Sequence, residues 1–534
     1  MWSDGSPSAD AAGVASARAL SSRRRGRDAN ASTMGRSIGN WRDAVWPVQA
    51  SRPFLVPCVD MQEPAAEARY PLEPSPEEMR SIGEAALAFV VRFIQDLPSA
   101  PAVDFDGVEE VVAAIRRPPG DEGRAFQDVL DLVGQGAAQA FNTTGPGYLA
   151  FIPGGGLYAA AVADFLACSV NRFVNIWSPA PAFAQVEWTV IRWLCDLFGL
   201  PPGSGGVLTS GGSMANFSAI VTARRTLLGE EFLDGTLYYS DQAHASVPKA
   251  AVLAGFSQRN LRVVPTTSDL ALDVEALAEL VQKDRADGRR PFMVIASAGT
   301  TNTGKVDPLG DVADVARAEG LWLHADGAYG GFFQLTGEGR ELLGGIEQAD
   351  SITLDPHKGM FLPYGTGSLL VRERRLLREA HMLGAEYLQD LAPEGEIPNF
   401  SDYSPELSRD FRGLRVWLPL MLHGVGAFRD ALQEKLDLTR MLYEGLRRSP
   451  GFELPWPPDL TVVPFRYQPR TGDPETFNRR LLEEINGSRR VFLSSTMIDG
   501  RFVIRACIVS FRTHRDRIEE ALDIIRGAAA TLDE

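Results

Sequence analysis

The sequence predicts an α/β fold: a large domain with a mainly parallel sheet, an N-terminal helical segment and a small C-terminal α/β domain. Two observations support this prediction. Between 141 and 425, short apolar runs alternate with amphipathic helical stretches, which is typical of βαβ units. After a long helical stretch at 417–446, three further strand-like runs and a closing helix from Asp516 indicate the smaller domain.

Composition excludes several classes of function. The 534-residue chain has a formal net charge of -16, which argues against broad binding to nucleic acid or anionic membranes. Its four cysteines form no CxxC pair and its six histidines form no HExxH motif, so we expect neither a disulfide framework nor a metal site. No apolar run is long enough to span a bilayer, and no secretion signal is evident, so we expect a cytoplasmic protein.

Four segments follow from the changes in composition along the chain. Residues 1–65 are predicted to be a disordered extension, and 66–140 an N-terminal helical segment. The large domain is expected at 141–425 and the small domain at 426–534. The helix predicted at 75–97 carries an apolar stripe that needs a covering surface, supplied either by the large domain or by a partner subunit.

Apolar runs in the large domain define the expected sheet. The strand-like runs lie at 235–240, 262–266, 291–298, 320–326, 351–355 and 368–371. Helical patterns separate them, which favours parallel strands whose carboxyl ends share one edge.

A glycine-rich turn at 207–225 is the first candidate binding element. A short strand ends in Ser-Gly-Gly-Ser, and a helix begins at once, with its apolar residues Met214, Phe217, Ile220 and Val221 expected to face inward. Glycines let the backbone approach a phosphate, and a helix N-terminus supplies free N–H groups. The turn is neither a GxGxxG nor a GK[ST] loop, which disfavours dinucleotide and NTPase functions.

Three polar residues lie at or shortly after the carboxyl ends of predicted strands, at the edge where ligands bind in open α/β sheets. They are His244, Asp326 and Lys358. Each has an ordinary alternative: Asp326 could cap a turn, Lys358 could pair with Asp355 or Asp326, and His244 could serve polar packing. Together with the anion-binding turn, however, they match the requirements of pyridoxal phosphate.

The chain resembles the group II pyridoxal-phosphate-dependent amino-acid decarboxylases over about 75–525. The motifs that carry this resemblance are "SDQAHASV", "GTTNTGKVDPL", "WLHADGAYGG", "SITLDPHKGMFLPYGTGSLLVR" and "RDFRGLRVWLPLMLHG". It implies a fold-type-I enzyme that binds pyridoxal 5'-phosphate and an amino-acid substrate, and forms a homodimer with its sites at the subunit interface.

The resemblance assigns a role to each matching residue. Lys358 would hold the cofactor as an imine, and Asp326 would face the pyridine nitrogen. His244 would stack on the ring, with Ala328 beneath the opposite face. The phosphate would be held by Gly212, Ser213 and His357. Thr301 would contact the ring or its neighbours, and Tyr403, on a loop, would return the proton to Cα.

Several positions depart from the family pattern. Asp355 stands where many relatives carry asparagine, and Thr366 where the pattern expects Cys or Ala. Gly145-Pro146 replaces a His-Pro pair in a segment expected to form the pocket wall. Arg505 is interpreted either as a ligand of the substrate carboxylate or as half of a buried ion pair.

The implied function is decarboxylation of an L-amino acid, with an aromatic substrate favoured, to the amine and CO₂. Alternatives are a pyridoxal-phosphate-dependent aldehyde synthase or carbon–carbon lyase, or a cofactor-binding pseudoenzyme. A nucleotide-dependent oxidoreductase is a more distant alternative.

Overall fold

The computed structural model describes residue 70 and residues 72–382 and 395–534. The predicted disordered extension at 1–65 lies outside the described residues. Pro74–Glu534 forms one compact unit, and the boundaries predicted at 140/141 and 425/426 fall within it and stay predictions. In the described part of the chain, no helix has the length and apolar character needed to cross a membrane.

Fifteen α-helices are described in Pro74–Glu534. They are α1 (Pro76–Asp96), α2 (Val108–Ile115), α3 (Phe126–Ala138), α4 (Tyr158–Val170), α5 (Pro181–Leu197), α6 (Gly212–Leu227), α7 (Ser246–Leu253), α8 (Val274–Ala286), α9 (Leu309–Glu319), α10 (Gly337–Leu342), α11 (Pro356–Gly359), α12 (Arg374–His381), α13 (Arg412–Arg447), α14 (Pro474–Gly487) and α15 (Arg515–Asp533).

The described strands form two sheets. The large sheet contains β1 (Gly205–Thr209), β2 (Gly235–Ser240), β3 (Leu261–Val264), β4 (Arg290–Ser297), β5 (Trp322–Gly327), β6 (Ser351–Leu354) and β7 (Gly367–Val371). The small sheet contains β8 (Phe452–Glu453), β9 (Val462–Tyr467), β10 (Ser494–Ile498) and β11 (Arg501–Cys507).

The large sheet has the order β1-β7-β6-β5-β4-β2-β3. Its strands are parallel except β7, which runs antiparallel to both neighbours, β1 and β6. Every residue of β1, β2, β5, β6 and β7 is buried, as expected for a sheet covered on both faces. The carboxyl ends of the parallel strands therefore meet at one edge.

The predicted α/β architecture is confirmed. All six strands predicted between 235 and 371 are observed, each with ends within two residues of the expected positions. The small sheet, in the order β10-β11-β9-β8, is entirely antiparallel and packs against α14, α15 and the end of α13 around a separate hydrophobic core.

Helix α1 begins with a capping box at Ser75 and Glu78, as its sequence suggests, yet it contains no buried residue. Its apolar stripe is covered only in part: Phe89 contacts Gly134 of α3, whereas Met79 remains 53% exposed. The large domain therefore does not supply the full covering surface that the sequence requires.

A buried ion pair fixes the segment that leads into α13. Arg409 Nη2 lies 2.7 Å from Glu187 Oε1 of α5, and both side chains are 0% exposed. Arg409 also donates to the carbonyl of Leu208 in β1. This pair connects the segment to the large sheet. Removing one partner would leave the other charge buried without a counter-ion.

We expect Arg409→Met to lower the free energy of unfolding by about 3–5 kcal/mol, because Glu187 would remain buried without its cation. Arg375→Met is the matched control, since Arg375 and its partner Glu379 are 65% and 57% exposed; it should lower the free energy of unfolding far less than Arg409→Met does. Thermal and denaturant unfolding measure the stability of both variants. Equal losses of stability would contradict a stabilising role for the buried Arg409–Glu187 pair.

Candidate active site

The carboxyl edge of the large sheet opens into a cavity with about 780 Å³ of empty space. Five connections meet there: those after β1, β2, β4, β5 and β6. Of the nine site residues predicted from the sequence, eight line this cavity: Gly212, Ser213, His244, Thr301, Asp326, Ala328, His357 and Lys358. Parallel topology explains their convergence, because the connections leave from the same edge.

Lys358 lies on α11, directly after β6. Its Nζ is 2.8 Å from Oδ2 of Asp355, so one of the alternatives left open by the sequence, a pair with Asp355, is present. Asp355 is buried, and its Oδ1 has no hydrogen-bond partner among the described residues. The cavity therefore contains a primary amine beside a carboxylate with spare acceptor capacity.

His357 and Thr366 are connected across the same turn. His357 Nδ1 donates to the carbonyl oxygen of Thr366 at 2.7 Å, and burial lowers the pKa of this histidine. The hydroxyl of Thr366 accepts a hydrogen bond from Arg415 Nη1 at 2.8 Å. Thr366, one of the departures from the family pattern, thus has a structural role in this chain.

Asp326 is the fifth residue of β5 and is 7% exposed. Its Oδ2 accepts a hydrogen bond from Asn216 Nδ2 at 2.9 Å, and its Oδ1 accepts from the backbone N–H of Ala328 at 3.2 Å. An acceptor-only carboxylate held by two donors matches a group that must face a protonated ring nitrogen.

His244 lies in the connection between β2 and α7. Its Nδ1 is 2.8 Å from the hydroxyl of Ser246 and accepts a hydrogen bond from the backbone N–H of Ser246 at 3.2 Å. These contacts orient the imidazole, whose ring stays accessible from the cavity.

The start of α6 offers a site for an anion. Its N-cap, Gly211, makes no side-chain capping bond, so no side chain occupies the N–H groups of the first turn. A Cβ atom at Gly212 would lie 3.1 Å from both Ala328 Cβ and Asp355 Oδ2, so glycine keeps this approach open. This cradle, the Lys358 amine and the Asp326 carboxylate fit a phosphorylated pyridine aldehyde.

Arg505 supports the loop that carries Thr301. Its guanidinium donates to the carbonyl oxygens of Thr301 at 2.6 Å and Asn302 at 3.0 Å, and to Ser494 Oγ at 2.8 Å. The interpretation of Arg505 as half of a buried ion pair is wrong for the described residues, in which no carboxylate lies within salt-bridge distance. Main-chain dipoles compensate its charge instead.

Tyr403 is not among the residues that line the cavity. It follows the short 3₁₀ turn Phe400–Asp402, packs in the core of the large domain and is 1% exposed. Its assignment as the proton donor stays a prediction, and it requires the 395–411 segment to move or another subunit to be involved.

The sequence matches the family model described as "Pyridoxal-dependent decarboxylase conserved domain" over residues 121–468. The chain belongs to the pyridoxal-dependent decarboxylase family. This family binds pyridoxal phosphate, so the cofactor expected from the sequence is confirmed.

The chain is also similar to individual members of this family. An aromatic-L-amino-acid decarboxylase of Bacillus atrophaeus is 36% identical over 87% of this chain and 97% of its own length. A crystal structure of Catharanthus roseus tryptophan decarboxylase in complex with L-tryptophan superimposes with a TM-score of 0.80 at 28% identity, covering 87% of this chain and 100% of that one. A phenylacetaldehyde synthase of Arabidopsis thaliana is 30% identical over 72% of this chain and 82% of its own length.

Asn216 and Ser246 are among the polar residues of the cavity that were not predicted from the sequence. Asn216 comes four residues after Gly212, and this spacing places both on the same helix face. Ser246 comes two residues after His244 at the start of α7. Their spacing from Gly212 and His244, which the sequence did identify, was the signal that could have found Asn216 and Ser246.

We expect Asp326→Asn to lower kcat/KM by about a hundredfold or more, because a neutral amide cannot hold a proton on the ring nitrogen. Asp350→Asn is the control: Asp350 is a partly buried aspartate beside β5, but its Oδ2 accepts from Leu323 N at the opposite edge of the sheet. Steady-state kinetics of both variants give the comparison. Equal values of kcat/KM for the Asp326→Asn and Asp350→Asn variants would contradict the role assigned to Asp326.

Proposed function

We propose that the protein decarboxylates an aromatic L-amino acid to the corresponding amine. The observation that carries the proposal is the meeting of the Lys358 amine, the Asp326 carboxylate and the uncapped start of α6 in one cavity. Family membership and the relatives named as aromatic-amino-acid and tryptophan decarboxylases support it.

Bound pyridoxal phosphate supplies an electron sink for the charge left at Cα when CO₂ departs. The residues of this chain would hold it in place. The first N–H groups of α6, with Ser213 and His357, would bind the phosphate. Lys358 would anchor the aldehyde carbon, and Asp326 would keep a proton on the ring nitrogen.

His244 and Ala328 would position the ring from its two faces. The imidazole of His244 is fixed by Ser246, so it can lie against the ring without rotating. Ala328 lies next to Gly212, where a larger side chain would narrow the cavity. Thr301 would contact the ring from the loop that Arg505 supports.

The final step is the return of a proton to Cα, which we assign to Tyr403. A phenol hydroxyl is a suitable general acid when it is brought within hydrogen-bond distance of the carbon. Because Tyr403 is buried in the described state, this role requires either that substrate binding reorganises the segment before α13 or that another subunit takes part.

A homodimer is part of the proposal. Exposed apolar side chains accumulate on three helices of the described chain: Met79, Ile82, Leu87 and Val91 on α1, Phe165, Leu166 and Val170 on α4, and Met421 and Leu422 on α13. Such surface on a folded chain indicates a protein interface.

We also propose a cytoplasmic location. The four cysteines lie far apart in the sequence and form no CxxC pair, which is typical of proteins in a reducing compartment.

Aldehyde synthesis is the second candidate, because the phenylacetaldehyde synthase of Arabidopsis thaliana is among the relatives. The two reactions differ in their products. Decarboxylation alone releases CO₂ and the amine. Aldehyde synthesis couples decarboxylation to oxidative deamination: it consumes O₂ and water and releases CO₂, the aldehyde, ammonia and hydrogen peroxide in place of the amine.

Purified protein incubated with pyridoxal phosphate and each of the twenty amino acids should turn over aromatic substrates and yield equal amounts of CO₂ and amine. Tyr403→Phe should shift the products towards aldehyde, ammonia and peroxide, because the acid that protonates Cα is lost. Tyr443→Phe, at a partly buried position packed against the core of the small domain, is the control and should leave the products unchanged. Aldehyde from the unmodified protein, or no turnover, would refute the proposal.

A further inference from the structure

A continuous set of hydrogen bonds runs beneath the cavity from β6 to His244. Its members, here named the Asn216 network, are Asn216, Asp326, Ser246, His244 and His324. Asn216 lies at its centre, is 1% exposed and has partners for both atoms of its amide. Of these residues, Asp326 and His244 are the two that would face the cofactor ring in the proposed function.

The carboxylate of Asp326 sets the direction of these hydrogen bonds. Because a carboxylate only accepts, the amide nitrogen of Asn216 must be the atom 2.9 Å from Asp326 Oδ2. The same nitrogen donates its second hydrogen to Ser246 Oγ at 3.0 Å. The amide oxygen consequently faces the other side, where it accepts from Thr353 Oγ1 at 2.8 Å.

His324 completes the network on that side. Its Nε2 lies 3.0 Å from the amide oxygen of Asn216, so Nε2 carries the hydrogen. Complete burial lowers the pKa of His324 to about 4, which keeps the ring neutral and makes Nδ1 an acceptor. Ser351, which accepts from the indole N–H of Trp322 at 2.8 Å, can then donate to Nδ1 at 2.7 Å.

The arrangement also fixes the tautomer of His244. Ser246 Oγ accepts from Asn216, so its own hydrogen is available to His244 Nδ1 at 2.8 Å. The backbone N–H of Ser246 donates to the same nitrogen. Nδ1 is therefore an acceptor, and the neutral ring carries its hydrogen on Nε2.

We propose that Asn216 is a positioning residue that holds Asp326 and His244 in one fixed arrangement for the cofactor ring. This rests on the proposed function, in which Asp326 faces the edge of the ring and His244 its face. The two residues come from different connections of the sheet, and the amide of Asn216 is the group that joins them. His324 orients that amide from behind.

A double-mutant cycle on cofactor binding tests the inference. Without substrate, the dissociation constant of pyridoxal phosphate is measured by fluorescence for the unmodified protein, Asn216→Ala, Ser246→Ala and the double variant. Asn216→Ala should weaken binding about tenfold or more, since it removes a hydrogen bond to a charged group. The double variant should bind pyridoxal phosphate at least about threefold more tightly than the product of the two single-variant effects on the dissociation constant predicts. The reason is that both substitutions break the same chain of hydrogen bonds.

Asn260→Ala is the matched control. Asn260 is equally buried, but its amide donates to the carbonyls of Leu233 and Gly235, at the opposite end of β2. It should lower stability without changing the dissociation constant, and its effect should combine with that of Ser246→Ala without coupling. Independent effects of Asn216→Ala and Ser246→Ala would overturn the inference and leave the proposed function standing.

A second measurement needs no substitution at Asn216. In the protein labelled with ¹⁵N-histidine, and with His244→Gln used for assignment, His244 should be neutral with its hydrogen on Nε2. A hydrogen on Nδ1 would overturn the inference, even if Asn216→Ala fails to fold. Failure of the unmodified protein to bind pyridoxal phosphate would instead overturn the proposed function together with this inference.

Discussion

The carboxylate of Asp326 is buried at the end of a central strand, where an uncompensated negative charge is strongly unfavourable. The chain stabilises it with the amide of Asn216 and the backbone N–H of Ala328, both neutral donors. Neutral donors leave the negative charge available to a ligand, whereas a protein cation would neutralise it. The site depends on this choice, because a protonated ring nitrogen needs an anionic partner.

On the neighbouring connection, Lys358 is stabilised in a different way, by a partner of opposite charge. Its ammonium lies beside Asp355, so the cost of placing a cation at the end of β6 is offset within the same turn. Asp355 replaces the asparagine that many relatives carry, and the pair gives this departure a physical reason. The antiparallel strand β7 returns the chain to the sheet directly afterwards, which keeps the turn short and its members close together.

Much of the fold followed from hydrophobic patterning, since buried parallel strands are short apolar runs between helical stretches. Polar residues directly after such runs were sufficient to identify Asp326, Lys358 and His244. Asn216 was missed for a related reason. The apolar residues of α6 suggested that Met214, Phe217 and Val221 face inward, yet these are half-buried, and the buried face consists mainly of small and polar residues such as Ala215, Asn216 and Ala219.

Contacts between distant segments could not be predicted from the sequence. The support of the Thr301 loop by Arg505 joins the large domain to the small sheet, and no local pattern indicates it. Tyr403 illustrates the opposite limit: a motif assigned it a role, but the described state buries it in the core.

The central claim is that Lys358 is the lysine that binds the cofactor. Reduction of the protein with borohydride in the presence of pyridoxal phosphate, followed by peptide mapping, tests it most directly. We expect a single stable modification, on Lys358, that protects the peptide containing it from tryptic cleavage at this residue. Modification of another lysine, or none at all, would show that Lys358 does not bind the cofactor.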